Sequence, residues 1–339
     1  MDISTIAMQW ESFCCPQCRG PLMSDKEAYR CLACPQTYPI VFGISDFRLF
    51  PDPYISFEDE YKKARLLADR ASRVSFEALV RFYWEITPDV PRSATERYIR
   101  YALNGEDRGQ AHLETIDTQV AKRWKGETCL EIGCGTGGFL LAAQHRFHTL
   151  IGVDIALRWL VVAKKRLEGA EGRIILVCCS AEHLPFPDGT FDGVAGLHVL
   201  EHTQNQQAVL DETARALKPG GHFFFIMPNR FSLGPEPCVR LWGVGFLPRS
   251  LASKYVQLVK GIPYRHIRLL SCFELRRLLM RSGFREWKIF PPCIAECEQK
   301  DASGFARVLI KIYNMLLELP IFPLVLEVFG PFLQVVGRK

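Results

Sequence analysis

Apolar and polar positions change their period three times along this chain. Between residues 51 and 125 they recur at helical spacing: Phe57, Tyr61 and Ala64, then Phe76, Leu79, Val80 and Tyr83, then Tyr98, Tyr101 and Leu103. Packing is the first reading of these stripes, and a lid across a neighbouring site is the lesser one. His112 to Trp124 continues the pattern as a further helix. From Thr128 onward, short apolar runs alternate with amphipathic stretches. The runs 129–133, 150–153, 173–178, 191–196 and 222–227 predict strands, and 139–147, 157–167, 206–217 and 272–282 predict helices. Alternation of this kind predicts an α/β fold, a doubly wound, Rossmann-like and mostly parallel sheet with its ligand at the strands' carboxyl ends. Runs at 285–290 and 334–339 add a final, antiparallel pair of strands and bring the expected total to seven.

The first 50 residues follow neither period. Cys15-Pro16-Gln17-Cys18 and Cys31-Leu32-Ala33-Cys34 are two CxxC knuckles twelve residues apart, each followed by turn chemistry. Four such thiolates can surround one zinc ion, and so short a β module needs a metal to fold. Cys14 could compete with Cys15, but the CxxC geometry favours Cys15. With no position open for substrate, the metal would be structural. The chain therefore divides into a zinc-binding module at 1–50, a helical linker or lid at 51–125, and an α/β domain at 126–339. Within the last, residues of about 228–270 form an insertion rich in Gly, Pro, aromatics and Arg.

Composition narrows the function classes. At 339 residues the chain can bury one sizeable domain and a smaller unit. A net charge of +5 is too mild and scattered to suggest nucleic acid as the partner. Thirteen cysteines, several in apolar runs (Cys129, Cys134, Cys178, Cys179), suit a reducing cytoplasm better than a disulfide framework. The N-terminus, Met1 to Phe13, lacks a basic start and an apolar core of signal-peptide length. The greasiest stretch, Phe305 to Val336, is interrupted by Lys311, Glu318, Pro320, Pro323 and Glu327, so no transmembrane span is expected. Its helix at 305–319 suits core or a homodimer surface best, with peripheral membrane contact through 305–329 as the other reading.

The candidate chemistry centres on Glu131-Ile132-Gly133-Cys134-Gly135-Thr136-Gly137-Gly138. Gly133, Gly135 and Gly138 satisfy GxGxxG, which a dinucleotide enzyme would also show. Glu131, Gly133, Gly135 and Gly137 satisfy an acidic-x-Gly-x-Gly-x-Gly pattern. Asp154, followed by Ile155, closes the second strand with a carboxylate suited to ribose hydroxyls. Ser180-Ala181-Glu182-His183-Leu184-Pro185-Phe186 follows the third strand. Pro187-Asp188-Gly189-Thr190-Phe191-Asp192 leads into the fourth, and Leu217-Lys218-Pro219-Gly220-Gly221 into the fifth.

In this order the segments at 115–230 resemble class I S-adenosylmethionine-dependent methyltransferases of the type 11 group. The resemblance implies that Glu131, Gly133, Gly135 and Gly137 hold the methionine end and that Asp154 and Ile155 meet the ribose. Ser180, Ala181 and Glu182 flank the adenine, although many members have Asp where Ser180 stands. Leu197 and His198 lie near the sulfonium. His198 and His202, four apart, are the candidate bases, with Glu201-His202 as a loop-orienting motif in the alternative. The Asn/Asp-Pro-Pro-Tyr/Phe signature of base and amide N-methylation is absent. Residues 15–47 resemble the zinc-ribbon-like methyltransferase activator module. The implied activity is O- or C-methylation of a small-molecule, lipid- or glycan-linked acceptor. An RNA or translation-factor methyltransferase, or an inactive cofactor-binding scaffold, are the alternatives.

Overall fold

The computed structural model describes residues 12–87, 90, 92–294 and 304–339, so nearly all of the N-terminal stretch read for targeting lies outside it. The chain forms two compact units. One runs to Val194 and includes Ala216–Pro219; the other comprises Ala195–Arg215 and the chain from Gly220 to Lys339.

In the first unit, β1 (Leu22–Ser24), β2 (Ala28–Cys31), β3 (Thr37–Val41) and β4 (Ile44–Asp46) form an antiparallel meander. Further on, β5 (Gly126–Ile132), β6 (Phe147–Asp154) and β7 (Arg173–Cys178) pair in parallel. The two sets are one sheet, because β4 pairs in parallel with β7 through Ser45 opposite Val177 and Asp46 opposite Cys178. Strand order is β1-β2-β3-β4-β7-β6-β5. The parallel strands are apolar on both faces, as sheets covered by helices are.

Four helices occupy the region read as helical: α1 (Phe57–Ala71), α2 (Phe76–Glu85), α3 (Arg92–Leu103) and α4 (Gly105–Gln119). Ser56 and Ser75 start the first two by accepting the backbone N–H groups of Asp59 and Ala78. Of the expected stripes, Ala64, Leu79, Val80 and Tyr83 are buried, whereas Phe57 and Tyr101 are exposed. Two further helices, α5 (Gly138–Ala143) and α6 (Leu157–Arg166), cover the parallel strands. The helix expected over 139–147 is thus one short piece, and Phe147 already belongs to β6.

The strand β8 (Phe191–Leu197) carries the chain from the first unit into the second. There α7 (Gln206–Ala216) ends directly at β9 (Leu217–Pro228). The turn expected at 217–221 is the opening of that strand, with Gly220 at φ +81°. At the chain's end β11 (Phe332–Arg338) lies between β9 and β10 (Glu286–Phe290), antiparallel to both. The described strands number eleven and are mixed in direction; four of them belong to residues 22–46. The insertion contains α8 (Arg249–Lys260), and α9 (Cys272–Arg281) follows with a complete capping box between Ser271 and Glu274.

Near the C-terminus are α10 (Gly304–Leu317) and α11 (Phe322–Phe329). The core assignment for this stretch is overturned: Val308, Leu309, Ile312, Met315, Ile321 and Leu324 are all exposed. Among the described residues no helix is long and apolar enough to cross a membrane.

Candidate functional site

The loop between β5 and α5 is a left-handed backbone turn. Gly133, Gly135 and Gly137 have φ of +73°, +48° and +73°, which side chains disfavour. The turn is closed by its own backbone. The N–H groups of Gly133 and Cys134 both donate to the Val153 carbonyl, at 2.8 and 3.0 Å, and Gly137 donates to Cys134 at 2.8 Å. A Cβ on Gly135 would meet nothing within 4 Å, so at this point the backbone faces open space that a ligand can enter. Gly138 has another reason to be glycine. A Cβ there would lie 2.5 Å from the Gly105 backbone, where α4 crosses α5.

Asp154 ends β6 with its carboxylate held from both sides. One oxygen accepts the Gly135 N–H at 2.8 Å and the other the Ala156 N–H at 2.9 Å. Burial nevertheless lifts its pKa to about 6, against the pull of those two amides. The Ile155 carbonyl beside it accepts an N–H of Arg48 at 3.2 Å. Glu131, on the neighbouring strand, is buried, and the Leu140 N–H supports its carboxylate. Burial, followed by the charge of Asp154, pushes its pKa well above the carboxylate range. Its Oε2 has no hydrogen-bond partner among the described residues. A buried carboxylate oxygen with no donor suits a cationic ligand group.

The turn after β7 completes this end of the strands. Cys179 donates to the Asp154 carbonyl at 3.0 Å. Ser180 is buried with its hydroxyl unpartnered among the described residues, and Ala181 and Glu182 are buried beside it. The sequence-predicted residues Glu131, Gly133, Gly135, Gly137, Asp154, Ile155, Ser180, Ala181 and Glu182 thus gather at the carboxyl ends of β5, β6 and β7. The segments at 187–192 and 217–221 have a structural task instead. The Asp192 carboxylate accepts from the Thr128 N–H at 2.9 Å and pairs with Lys218 at 2.9 Å, tying them together.

Leu197, His198 and His202 belong to the second unit. His198 is not glycine and yet has φ +55°, a strained conformation at the end of β8. Its backbone N–H donates to Ile226 on β9 at 2.9 Å, and its ring meets Phe332 edge-on at 5.4 Å. The two histidines do not share a helical face, because only residues 200–202 make a single 3-10 turn. They flank Glu201 instead, with His198 Nδ1 and His202 Nε2 at 3.9 and 4.0 Å from its Oε1. Glu201 is buried, and burial raises its pKa to about 8. Around neutral pH it is therefore largely protonated and gives neither imidazole a counter-charge.

In the N-terminal meander, the sulfur atoms of Cys15, Cys18, Cys31 and Cys34 all lie within 4.8 Å of one another. The pairs Cys15–Cys34 and Cys18–Cys31 are 3.7 and 3.5 Å apart, close to the roughly 3.8 Å edge of a tetrahedral zinc–thiolate site. Tyr38 Oη stands 3.1 Å from Cys15 Sγ, and the Ala33 N–H donates to Cys31 Sγ at 3.3 Å. Gly20 permits this closure, since a Cβ there would be 2.6 Å from that of Ala33. Cys14 stands outside the cluster.

Residues 130–225 match the family described as "Methyltransferase domain". The demethylmenaquinone methyltransferase of Tropheryma whipplei is 34% identical over 189 residues, spanning 52% of this chain and 75% of that protein. The chain belongs to the S-adenosylmethionine-dependent methyltransferases. Two other members illustrate the range of the family. The ubiquinone biosynthesis O-methyltransferase of Idiomarina loihiensis is 32% identical, covering 45% of this methyltransferase and 59% of its own chain. The sterol 4-C-methyltransferase of Caenorhabditis elegans is 35% identical over 28% of this chain and 29% of its own.

One part of this methyltransferase escaped sequence reasoning. Arg158, at the start of α6, pairs with Asp52 at 2.9 Å and with Glu60, and its Nε donates to Tyr83 Oη at 3.2 Å. Nearby Arg48 pairs with Asp46 at 2.6 Å, and Tyr61 donates to the same carboxylate at 2.6 Å. Residues from the N-terminal module, α1, α2 and α6 meet here, beside Asp154 and Ile155. Only the acidic first turn of α1 gave any sequence hint.

Proposed function

We propose that this methyltransferase methylates an oxygen or carbon atom of a small, lipid- or glycan-linked acceptor. The observation that carries the reading is its similarity to menaquinone, ubiquinone and sterol methyltransferases, of which the ubiquinone enzyme is named for O-methylation and the sterol enzyme for C-methylation. S-adenosylmethionine, when bound, supplies an electrophilic methyl group on a sulfonium. Glu131, with its unpartnered buried oxygen, would hold the ammonium at the methionine end, and the open backbone at Gly135 would let the carboxylate approach. Asp154 would accept from the ribose hydroxyls with the lone pairs its two amide donors leave unused. Ser180, Ala181 and Glu182 would flank the adenine. His198, held in a strained backbone, would take a proton from the acceptor, with His202 in the supporting position.

Zinc in the four-cysteine cluster would be structural, since four thiolate ligands would leave it no open position. Thirteen cysteines, several of them buried in or beside apolar strands, would suit the cytoplasm. The exposed apolar face of α10 and α11 suits contact with the lipid in which such an acceptor lies. Incubation of cell extract with methyl-labelled cofactor, followed by fractionation, tests the reading. Label in the lipid or small-molecule fraction is the expected result. Label confined to RNA or protein would overturn it, and no transfer to any fraction would favour a scaffold.

A further inference from the structure

The insertion folds around a small core of its own. Val239, Leu241, Val244, Ala252, Val256 and Tyr264 are buried together, with α8 lying against a 3-10 turn at Val244–Phe246. That turn is pinned to the end of β9 by Arg230, whose Nε donates to the Gly245 carbonyl at 3.0 Å. Between the turn, the first half of α8 and residues 264–269 lies a cavity of about 470 Å³. Four arginines are among the residues that line it: Arg230, Arg249, Arg265 and Arg268. Ser250 and Ser253 belong to the same wall.

So many cations around one space repel one another unless an anion joins them. Among the described residues, the Glu274 carboxylate lies 2.8 Å from Arg230 and 3.9 Å from Arg249. Glu274 is itself engaged at the start of α9, accepting the Ser271 N–H and hydroxyl at 2.9 and 2.8 Å. Arg268 is fixed in place by backbone. Its N–H donates to the Glu201 carbonyl at 2.7 Å and its guanidinium to the Gln204 carbonyl. It therefore hangs from the segment that bears His198 and His202. For Arg265, the structure shows neither a hydrogen bond nor an ion pair among the described residues.

We propose that this cavity binds the phosphate or diphosphate head of an amphiphilic methyl acceptor. The inference rests on the reading of the chain as a small-molecule methyltransferase and narrows its substrate class. A singly charged carboxylate needs one arginine, whereas a phosphate with several oxygens uses several guanidinium forks at once. The volume is that of a site for an organic ligand and exceeds what inorganic phosphate fills. The same insertion also exposes Trp242, Phe246, Leu251 and Leu258, which suit the apolar remainder of such a molecule.

Calorimetric titration with pyrophosphate tests the site, using the full chain and the variants Arg249→Ala/Arg265→Ala and Arg265→Glu. Both positions are exposed, so the fold is expected to survive, and cofactor affinity within about twofold of the parent would verify it. Pyrophosphate should bind the parent and bind both variants at least about tenfold more weakly. Co-sedimentation with phosphatidylcholine vesicles, with and without phosphatidic acid, distinguishes the source. A preference for phosphatidic acid that the variants lose indicates a lipid head, and pyrophosphate binding without that preference indicates a free phosphorylated acceptor. No pyrophosphate binding by the parent, or equal binding by the double variant, would overturn the proposal. Failure of the parent to bind S-adenosylmethionine would instead count against the cofactor site, whatever pyrophosphate does.

Discussion

Asp154 shows how a local motif and its physical state differ in legibility. Its position was plain in the sequence, because a strand ending in a carboxylate three residues before a helix is a local pattern. Its pKa was not, since burial is set by every neighbour in the fold. A carboxyl raised to about 6 is protonated on the acid side of that value and cannot accept from a hydroxyl with both oxygens. The sign for the unliganded protein is the opposite. A folded pKa above the unfolded one contributes stability that is present below about pH 4 and lost as pH rises through about 6. The cofactor-induced rise in Tm should therefore shrink between about pH 7 and pH 5, and Asp154→Asn should show a small, flat rise across that range. Calorimetry of Asp154→Ala should show affinity at least about tenfold weaker. Unchanged affinity in either variant would remove Asp154 from the site. Glu131 and the three positive-φ glycines were equally legible, whereas the placement of Glu201 between two histidines was not. That arrangement depends on a single 3-10 turn and on burial that no spacing rule encodes.

Among the elements, most strands and helices from 126 onward were foreseen to within about five residues because their apolar periods are clean, but α8 and α11 were not. One residue type can serve two purposes. Gly138 fits a ligand-loop pattern, but its neighbours are Gly105 and Gly109 of α4 and the start of α5. A Cβ at Gly109 would sit 2.8 Å from the Phe139 Cα. Gly109→Ala and Gly138→Ala should each cost about 1–3 kcal/mol by overpacking, read as a lower urea midpoint. Unaltered stability in both would mean that the helices can separate freely. The α10 stripe was legible as apolar, yet burial depends on partners that periodicity does not name. Arg158 lay beyond sequence reasoning for the same reason: its acids come from residues 98 and 106 positions away. Removing it leaves Asp52 and Glu60 buried without their cation, so Arg158→Ala should destabilise by about 3–5 kcal/mol. Replacing all three by apolar residues should recover much of that loss in chemical denaturation.

At the scale of the molecule, the α/β class was legible from alternation alone, and the four cysteines announced their own cluster. What spacing could not tell is that the four-cysteine module joins the large sheet. The residues responsible, Ser45 and Asp46, are too few to register as a strand by pattern. A strand pairing of this kind would couple zinc held by the four cysteines to the fold around the cofactor loop. Cys15→Ser/Cys34→Ser should lose the approximately one equivalent of zinc per chain and lower the Tm of the domain, not only of the module. Zinc retained by that variant would exclude the four-thiolate site. The pairing of β4 with β7 also has a consequence for self-association. In the first unit the outermost strand on this side is β1, only three residues long, a poor template for another chain. Removing residues 1–50 would make β7 the border, with its apolar Ile174-Ile175-Leu176-Val177 run and a row of unsatisfied amides. Chains shortened in this way should scatter light and form intermolecular β-structure at concentrations where the full chain stays monodisperse. The module would then act as a guard against aggregation, independently of whether any methyl group is ever transferred.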